Sequence, residues 1–226
     1  MKKFKEKLKN LIDLNEIDLD SEQIEKYSIY LESLLEINQK INLISRKDED
    51  LVIENHLIPC LKFSTLFKGF EQNALDIGTG GGFPGLVFAI YNLNSRITLI
   101  DSIKKKIESI KTIVQNLGLD NVELIWTRAE DKVFQKNYEK YFELIMSRAT
   151  AELPLLIKYS KNILRDSTSI LAVMKGGEKL DLEIEQSKKL FKKISIKKIP
   201  LIYLPMNENN INKKYVLIVE NINGIK

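Results

Sequence analysis

The sequence predicts an α/β fold: a mostly parallel sheet preceded by an N-terminal helical cap and closed by a C-terminal antiparallel hairpin. An apolar run, Ala74 to Ile77, enters a glycine-rich turn and then an apolar helix. Short apolar runs then recur in alternation with amphipathic stretches, the pattern of strands buried on both faces and wound by helices. Before residue 70 the periodicity is helical.

In chain order, residues 2 to about 70 form the cap. Ile24, Tyr27, Leu31, Leu34, Leu35 and Ile37 keep a helical period, with Asp20 or Ser21 as N-cap and Glu22 in the first turn. Strands are expected at Ala74 to Ile77, Ile97 to Ile100, Val122 to Trp126, Phe142 to Met146 and Ser169 to Met174. Ile103, Ile107, Ile110, Val114 and Leu117 step along one helix face, and Gly118 suits a left-handed C-cap. A helix near Leu180 to Phe191 precedes two last strands, Ile194 to Tyr203 and Tyr215 to Asn221, joined by a mobile polar tip over Asn207 to Lys214. This divides the chain into a cap, 1–70, and a sheet domain, 71–226, built as one compact unit.

The turn after the first strand carries the most chemistry. Gly78, Gly80 and Gly82 allow a tight bend with no Cβ between the backbone and a ligand at the following helix N-terminus. The dinucleotide fingerprint G-x-G-x-x-G fails, because its last position falls on Phe83; the stretch instead reads acidic-x-G-x-G-x-G from Asp76 to Gly82. That is the first motif expected of S-adenosylmethionine-dependent methyltransferases with a Rossmann-like sheet. Asp101, 21 residues past Gly80 and at the end of the second strand, is placed to accept both ribose hydroxyls. Asp76, Gly78, Gly80 and Asp101 are therefore candidate cofactor residues.

Ligands of open α/β sheets bind beyond the carboxyl ends of the strands. Ala129 and Glu130 follow the third strand, where they would cover an adenine. Arg148 follows the fourth, where methyl donor meets acceptor; a cofactor carboxylate, an RNA phosphate or a guanine edge could each be its partner. Lys175 stands beside Gly176 and Gly177 after the fifth strand, with room for a ligand. Lys104, Lys105 and Lys106 open a helix whose positive end disfavours cations, which invites an anion. No residue reads as an acid or base of the reaction; Arg148 would position.

A net charge of +4 and a pI near 8.9 agree with a polyanionic partner, although lysine is abundant throughout. One histidine, His56, and one cysteine, Cys60, leave no zinc cluster and no internal disulfide, so we expect no metal and a reducing, cytoplasmic setting. Cys60 lies upstream of the cofactor motif, unlike the nucleophile of cytosine-C5 enzymes. Ser147-Arg-Ala-Thr150 differs from the Asn/Asp-Pro-Pro-aromatic signature of enzymes that methylate base amines. No apolar run reaches membrane-spanning length, and the basic first residues lack the apolar segment of a signal peptide.

Leu75 to Leu86, Leu99-Ile-Asp-Ser102 with Lys105 and Lys106, Leu117 to Glu123, Arg128-Ala-Glu130, Ser147-Arg-Ala149 and Met174-Lys-Gly176 together resemble the glucose-inhibited division protein B family. These are bacterial methyltransferases that act on N7 of a guanine in 16S ribosomal RNA. The likeness covers nearly the whole chain, with Asn38 to Leu43 and His56-Leu57 at the family's N-terminal motifs and departures at Asn55 and Pro59-Cys60. It implies the class I methyltransferase fold, with S-adenosyl-L-methionine contacted by Gly78, Phe83, Ala129, Glu130 and Arg148. It also implies that RNA of the small ribosomal subunit faces Arg128, Arg148 and Lys175, with Lys105 and Lys106 in the same basic rim. His56 is read as filling the seam between cap and sheet, and a monomer is expected. A small-molecule methyltransferase, a noncatalytic cofactor-sensing RNA-binding module and a nicotinamide oxidoreductase stand as alternatives.

Overall fold

The computed structural model describes residues 2–205 and 214–222. Among them seven strands form one sheet: β1 (Asn73–Ile77), β2 (Arg96–Asp101), β3 (Val122–Trp126), β4 (Leu144–Arg148), β5 (Ile170–Gly176), β6 (Ser195–Pro200) and β7 (Lys214–Glu220). Their spatial order is β3-β2-β1-β4-β5-β7-β6. The first five run parallel, and β7 enters antiparallel between β5 and β6.

The fourth strand begins later than its apolar run suggests. Phe142 bridges Leu164 instead, giving its N–H to Ile163 and accepting from Arg165 at 2.8 Å, so its backbone is committed before β4 begins. The sixth strand stops at Pro200, short of Tyr203, and the tip expected over Asn207 to Lys214 lies outside the described residues apart from Lys214 itself.

The cap comprises α1 (Lys2–Leu14), α2 (Ser21–Asn38), a 3₁₀ turn (Arg46–Leu51), a π-helical turn (Ile53–Leu57) and α3 (Ile58–Thr65). Asp20 rather than Ser21 caps α2: its carboxylate accepts the Gln23 N–H at 2.7 Å while the Gln23 side chain accepts the Asp20 N–H at 3.1 Å. Asn38, fully buried, closes the next bend by accepting the N–H groups of Leu43 and Ile44 at 2.7 and 2.9 Å.

Five more helices flank the sheet: α4 (Gly85–Tyr91), α5 (Lys104–Leu117), α6 (Lys132–Asn137), α7 (Leu153–Ser160) and α8 (Leu180–Leu190). Alternation along the strands separates two cores. Leu144, Met146, Ala172 and Met174 face one, Ile145, Leu171 and Val173 the other. The first core also contains Leu8, Leu31, Leu34, Leu57 and Phe63, so the cap and one sheet face bury the same apolar surface. Each fully buried leucine of this kind contributes about 1.5–3 kcal/mol of transfer free energy. Tyr27 and Tyr30 fasten the seam, donating from their hydroxyls to the Val87 and Gly81 carbonyls, both at 2.8 Å. On α5 the apolar stripe holds, except that Ile103 precedes the helix as its N-cap and is exposed.

Candidate active site

The glycine turn is built by hydrogen bonds that converge from two strands. Gly78 and Thr79 both donate to the Ile100 carbonyl, at 2.9 and 3.0 Å. Asp101, nearly buried, accepts the Gly80 N–H at 3.0 Å with one oxygen and the Ile103 N–H at 2.9 Å with the other. Asp76 is wholly buried and accepts the Gly85 N–H at 2.9 Å, holding the start of α4. Burial pushes the Asp76 carboxyl up to about 7, with the nearby Asp101 adding to the shift and the Gly85 N–H opposing it. Gly78 has φ +73°, and a Cβ there would lie 2.4 Å from Thr150 Cγ2, so backbone and neighbour both demand glycine.

Beyond this turn lies a cleft of about 430 Å³ lined by, among others, Gly78, Asp101, Lys106, Arg128, Ala129 and Glu130. Beside it opens a larger cavity of about 640 Å³, whose lining includes Pro59, Arg148, Glu152, Lys175, Lys214 and Tyr215. Ala149, Thr150 and Ala151 line both, so the two spaces adjoin along one short segment after β4. Within it Ala149 holds φ +53°, an uncommon conformation for a residue with a Cβ, and the Thr150 hydroxyl reaches the Ile77 carbonyl at 3.1 Å. Backbone strain at the junction of two cavities is the placement expected of a site.

Arg148 ties this segment to the cap. It donates to the Asn55 carbonyl in the π-helical turn at 3.0 Å and to Cys60 Sγ at 3.5 Å, and its guanidinium lies 5.8 Å from the Phe83 ring centre. It makes no ion pair among the described residues. His56 sits in the same seam, 5.2 Å from the Phe83 ring and 3.4 Å from Asp48. Burial, and then the Arg148 charge, lower His56 to about 4, while burial raises Cys60 to about 11 despite Arg148 beside it. His56 is thus a neutral seam residue at physiological pH.

Of the residues singled out by sequence, Gly78, Asp101, Ala129 and Glu130 meet in the smaller cleft, together with Arg128, which pairs with Glu130 at 3.6 Å. Gly80 contributes by fixing Asp101. Asp76 supports the turn from behind and does not line the cleft. Phe83 packs between Tyr30 and His56 in the seam and lines neither cavity. Lys106, expected on the RNA-facing rim, lines the smaller cleft, whereas Lys105 stays exposed outside both. Lys175 lines the larger cavity but pairs with Glu183 at 2.6 Å, both side chains mostly buried.

Lys214 and Tyr215 escaped the sequence reading. Because β7 is antiparallel, its first residues lie beside the carboxyl end of β5, with Tyr215 opposite Lys175 and Lys214 opposite Gly176. The signal was available: in an antiparallel strand it is the start, not the end, that reaches the ligand side of the sheet.

The sheet order, the reversed β7 and the glycine turn leading to an acid on β2 define a class I methyltransferase. The O-methyltransferase from Bacillus cereus in complex with SAH superposes with a TM-score of 0.60 at 16% identity, covering 100% of this chain and 99% of that one. Sequence relationship is more specific, since the family model described as rRNA small subunit methyltransferase G matches residues 23–211. The chain belongs to that family. The ribosomal RNA small subunit methyltransferase G of Desulfitobacterium hafniense is 35% identical over 173 residues, 76% of this chain and 71% of its own. That of Clostridium botulinum is 33% identical over 226 aligned positions, 88% of this chain and 92% of its own.

Proposed function

We propose that this protein transfers a methyl group from S-adenosyl-L-methionine to N7 of a guanine in 16S ribosomal RNA of the small subunit, as a cytoplasmic enzyme. One observation carries the reading: a cleft of cofactor type adjoins a larger cavity, lined by the cations Arg148, Lys175 and Lys214, through the shared segment Ala149 to Ala151.

The residues present fit the cofactor. The space in front of Gly78 is one that a Cβ cannot share with Thr150, and Asp101 lines the cleft with its carboxylate oriented by two backbone N–H groups. Gly78, Asp101, Ala129 and Glu130 would hold the nucleoside portion, with Gly80 and Asp76 maintaining the turn. When bound, the cofactor supplies an electrophilic methyl on a sulfonium. N7 of guanine offers an in-plane lone pair and has no proton to lose, so the chain need provide no base. Its task is alignment and electrostatics: hold the extruded base edge toward the cleft and keep water from the junction. Arg148, at the junction and anchored to Asn55, positions the acceptor, and the cap and sheet domain therefore work as one unit.

Transfer of isotopic label from S-adenosylmethionine into small-subunit RNA from cells lacking this protein, followed by mapping of the base, tests the reading. Label at one guanine N7 supports it; label in a metabolite, or cofactor binding with no transfer, replaces it with the small-molecule enzyme or the noncatalytic module.

A further inference from the structure

Trp126, the last residue of β3, is the chain's one tryptophan, and its side chain is exposed. An indole is ordinarily among the better-buried side chains. Here the ring is exposed and yet fixed: its Nε1 donates to the Ser102 carbonyl at 3.0 Å, and the Lys104 ammonium lies over it, 5.3 Å from the ring centre. β3 forms one edge of the sheet, and between it and α5 runs a groove of about 510 Å³. Ile107, Val114 and Leu124 line this groove together with Trp126, and Lys104 and Lys111 give it positive charge.

The charge on this face is one-sided. Between Lys104 and Lys111, α5 carries Lys104, Lys105, Lys106 and Lys111 against the single acid Glu108. Glu108 approaches Lys104 at 3.8 Å, but both side chains are exposed, so the pair is screened and readily exchanged for another anion. The groove is also continuous with the site already described. Trp126 stands opposite Asp101 in the pairing of β2 with β3. Ser102, whose carbonyl holds the indole, and Thr127, the next residue in the chain, both line the smaller cleft, whereas Trp126 does not. A fixed aromatic face beside lysines is suited to an unpaired nucleotide, whose base stacks while its phosphates meet the ammonium groups. An uncharged partner would cover the same lysines without supplying counter-charge.

We propose that Trp126 is a stacking platform for an unpaired base of the RNA substrate, other than the base that is methylated, with Lys104 and Lys111 taking the adjoining phosphates. The inference rests on the proposed function and deepens it by giving the RNA a second point of attachment. In the sheet, β2 and β1 separate this platform from β4, where Arg148 stands. The RNA then crosses the carboxyl ends of the strands, held at β3 and presenting its target at β4.

Because no second tryptophan contributes, the emission of the full chain reports on this ring alone. The probes are a short single-stranded RNA of mixed sequence and small-subunit RNA from cells lacking the protein. Expected is saturable quenching of Trp126 emission by either RNA, weakening as salt rises, and little change with S-adenosylmethionine alone. Trp126→Ala should lower affinity for the RNA by about tenfold, with cofactor affinity and melting temperature at the wild-type values. Trp126→Phe should recover part of that loss, since a phenyl ring still offers a face. Lys111→Gln should make the salt slope shallower by about one log–log unit, while bound RNA quenches as before. RNA that leaves the emission unchanged, or that binds Trp126→Ala as tightly as the wild type, overturns the platform. So does emission that shifts with protein concentration in the absence of RNA, which assigns the groove to a second copy of the chain. Quenching by the cofactor alone, with no further change on adding RNA, overturns it too and moves the ring to the cofactor side. Methyl transfer to the same small-subunit RNA is followed in parallel: its absence counts against the proposed function, whereas transfer without quenching counts against the platform alone.

Discussion

Arg148 donates a hydrogen bond to the Asn55 carbonyl at 3.0 Å, so the last residue of β4 is held by the π-helical turn of the cap. A helical turn with an i+5 ladder leaves carbonyls off the ordinary helix pattern, and such turns gather at functional sites. Here the irregularity has a use: it presents a neutral acceptor that orients a cation without cancelling its charge.

Arg148→Ala is therefore expected to lower methyl transfer by about 10²-fold, the scale of a misplaced reactant. Arg148→Lys should recover little, because one ammonium cannot reach Asn55 and Cys60 as a planar fork does. Single-turnover rates at saturating cofactor check this; a Lys variant with wild-type rate would show that charge alone matters.

Gly78→Ala should destabilise the protein by about 1–3 kcal/mol and weaken cofactor affinity, since it strains a positive φ. It also drives a Cβ to 2.6 Å from Thr150 Oγ1. Adding Thr150→Ala removes the side-chain clash but leaves the φ strain, so only part of the loss should return. Full recovery in thermal melts would mean that the backbone conformation is not the constraint.

Asp76 and His56 should produce opposite pH dependences of stability over the same range. The Asp76 carboxyl, raised from 3.8 to about 7, contributes stability present below pH 4 and lost as pH rises through 7. His56, lowered from 6.5 to about 4, contributes stability present above pH 6.5 and lost as pH falls through 4. Between about pH 4 and 6.5 the two slopes, each about 1.4 kcal/mol per pH unit, oppose each other. Asp76→Asn should expose a rise of stability with pH in that window, and His56→Gln a fall. Denaturant titrations at closely spaced pH values decide it; a wild-type-like profile in both variants contradicts the pairing.

Glu183→Gln keeps an acceptor for the Leu153 N–H but releases Lys175 from its ion pair. RNA affinity at low salt should rise and its salt slope should steepen by about one, as a freed lysine takes up a phosphate. An unchanged slope would place Lys175 out of reach of RNA and leave it a structural partner of Glu183.

Much of this architecture was legible because it is local. Val122 to Trp126, the Asp20 cap, the Gly118 C-cap and the turn from Asp76 to Gly82 are specified by neighbours within a few residues, and they form as expected. Asp101 was legible too, because sequence distance from Gly80 fixes it at the end of the adjacent strand. The remainder depends on choices between distant partners. Phe142 is as apolar as a strand residue should be, yet its backbone pairs with the segment after α7. Lys175 carries the same charge whether or not Glu183 approaches it. Phe83 sits in the expected motif, but its side chain is claimed by Tyr30 and His56 from the cap, and periodicity does not say which ring will turn toward which layer.

The insertion of β7 between β5 and β6 has a consequence for the order in which the site comes into being. Every residue lining the smaller cleft lies between Ile77 and Tyr159, whereas the larger cavity also draws on Leu201, Lys214 and Tyr215. As the polypeptide leaves the ribosome, the smaller cleft is complete in sequence well before the larger cavity, and β5 must wait with an open edge for a strand made after β6. Under the proposed function, a nascent chain holds the residues of its cofactor cleft before it holds those that would receive RNA.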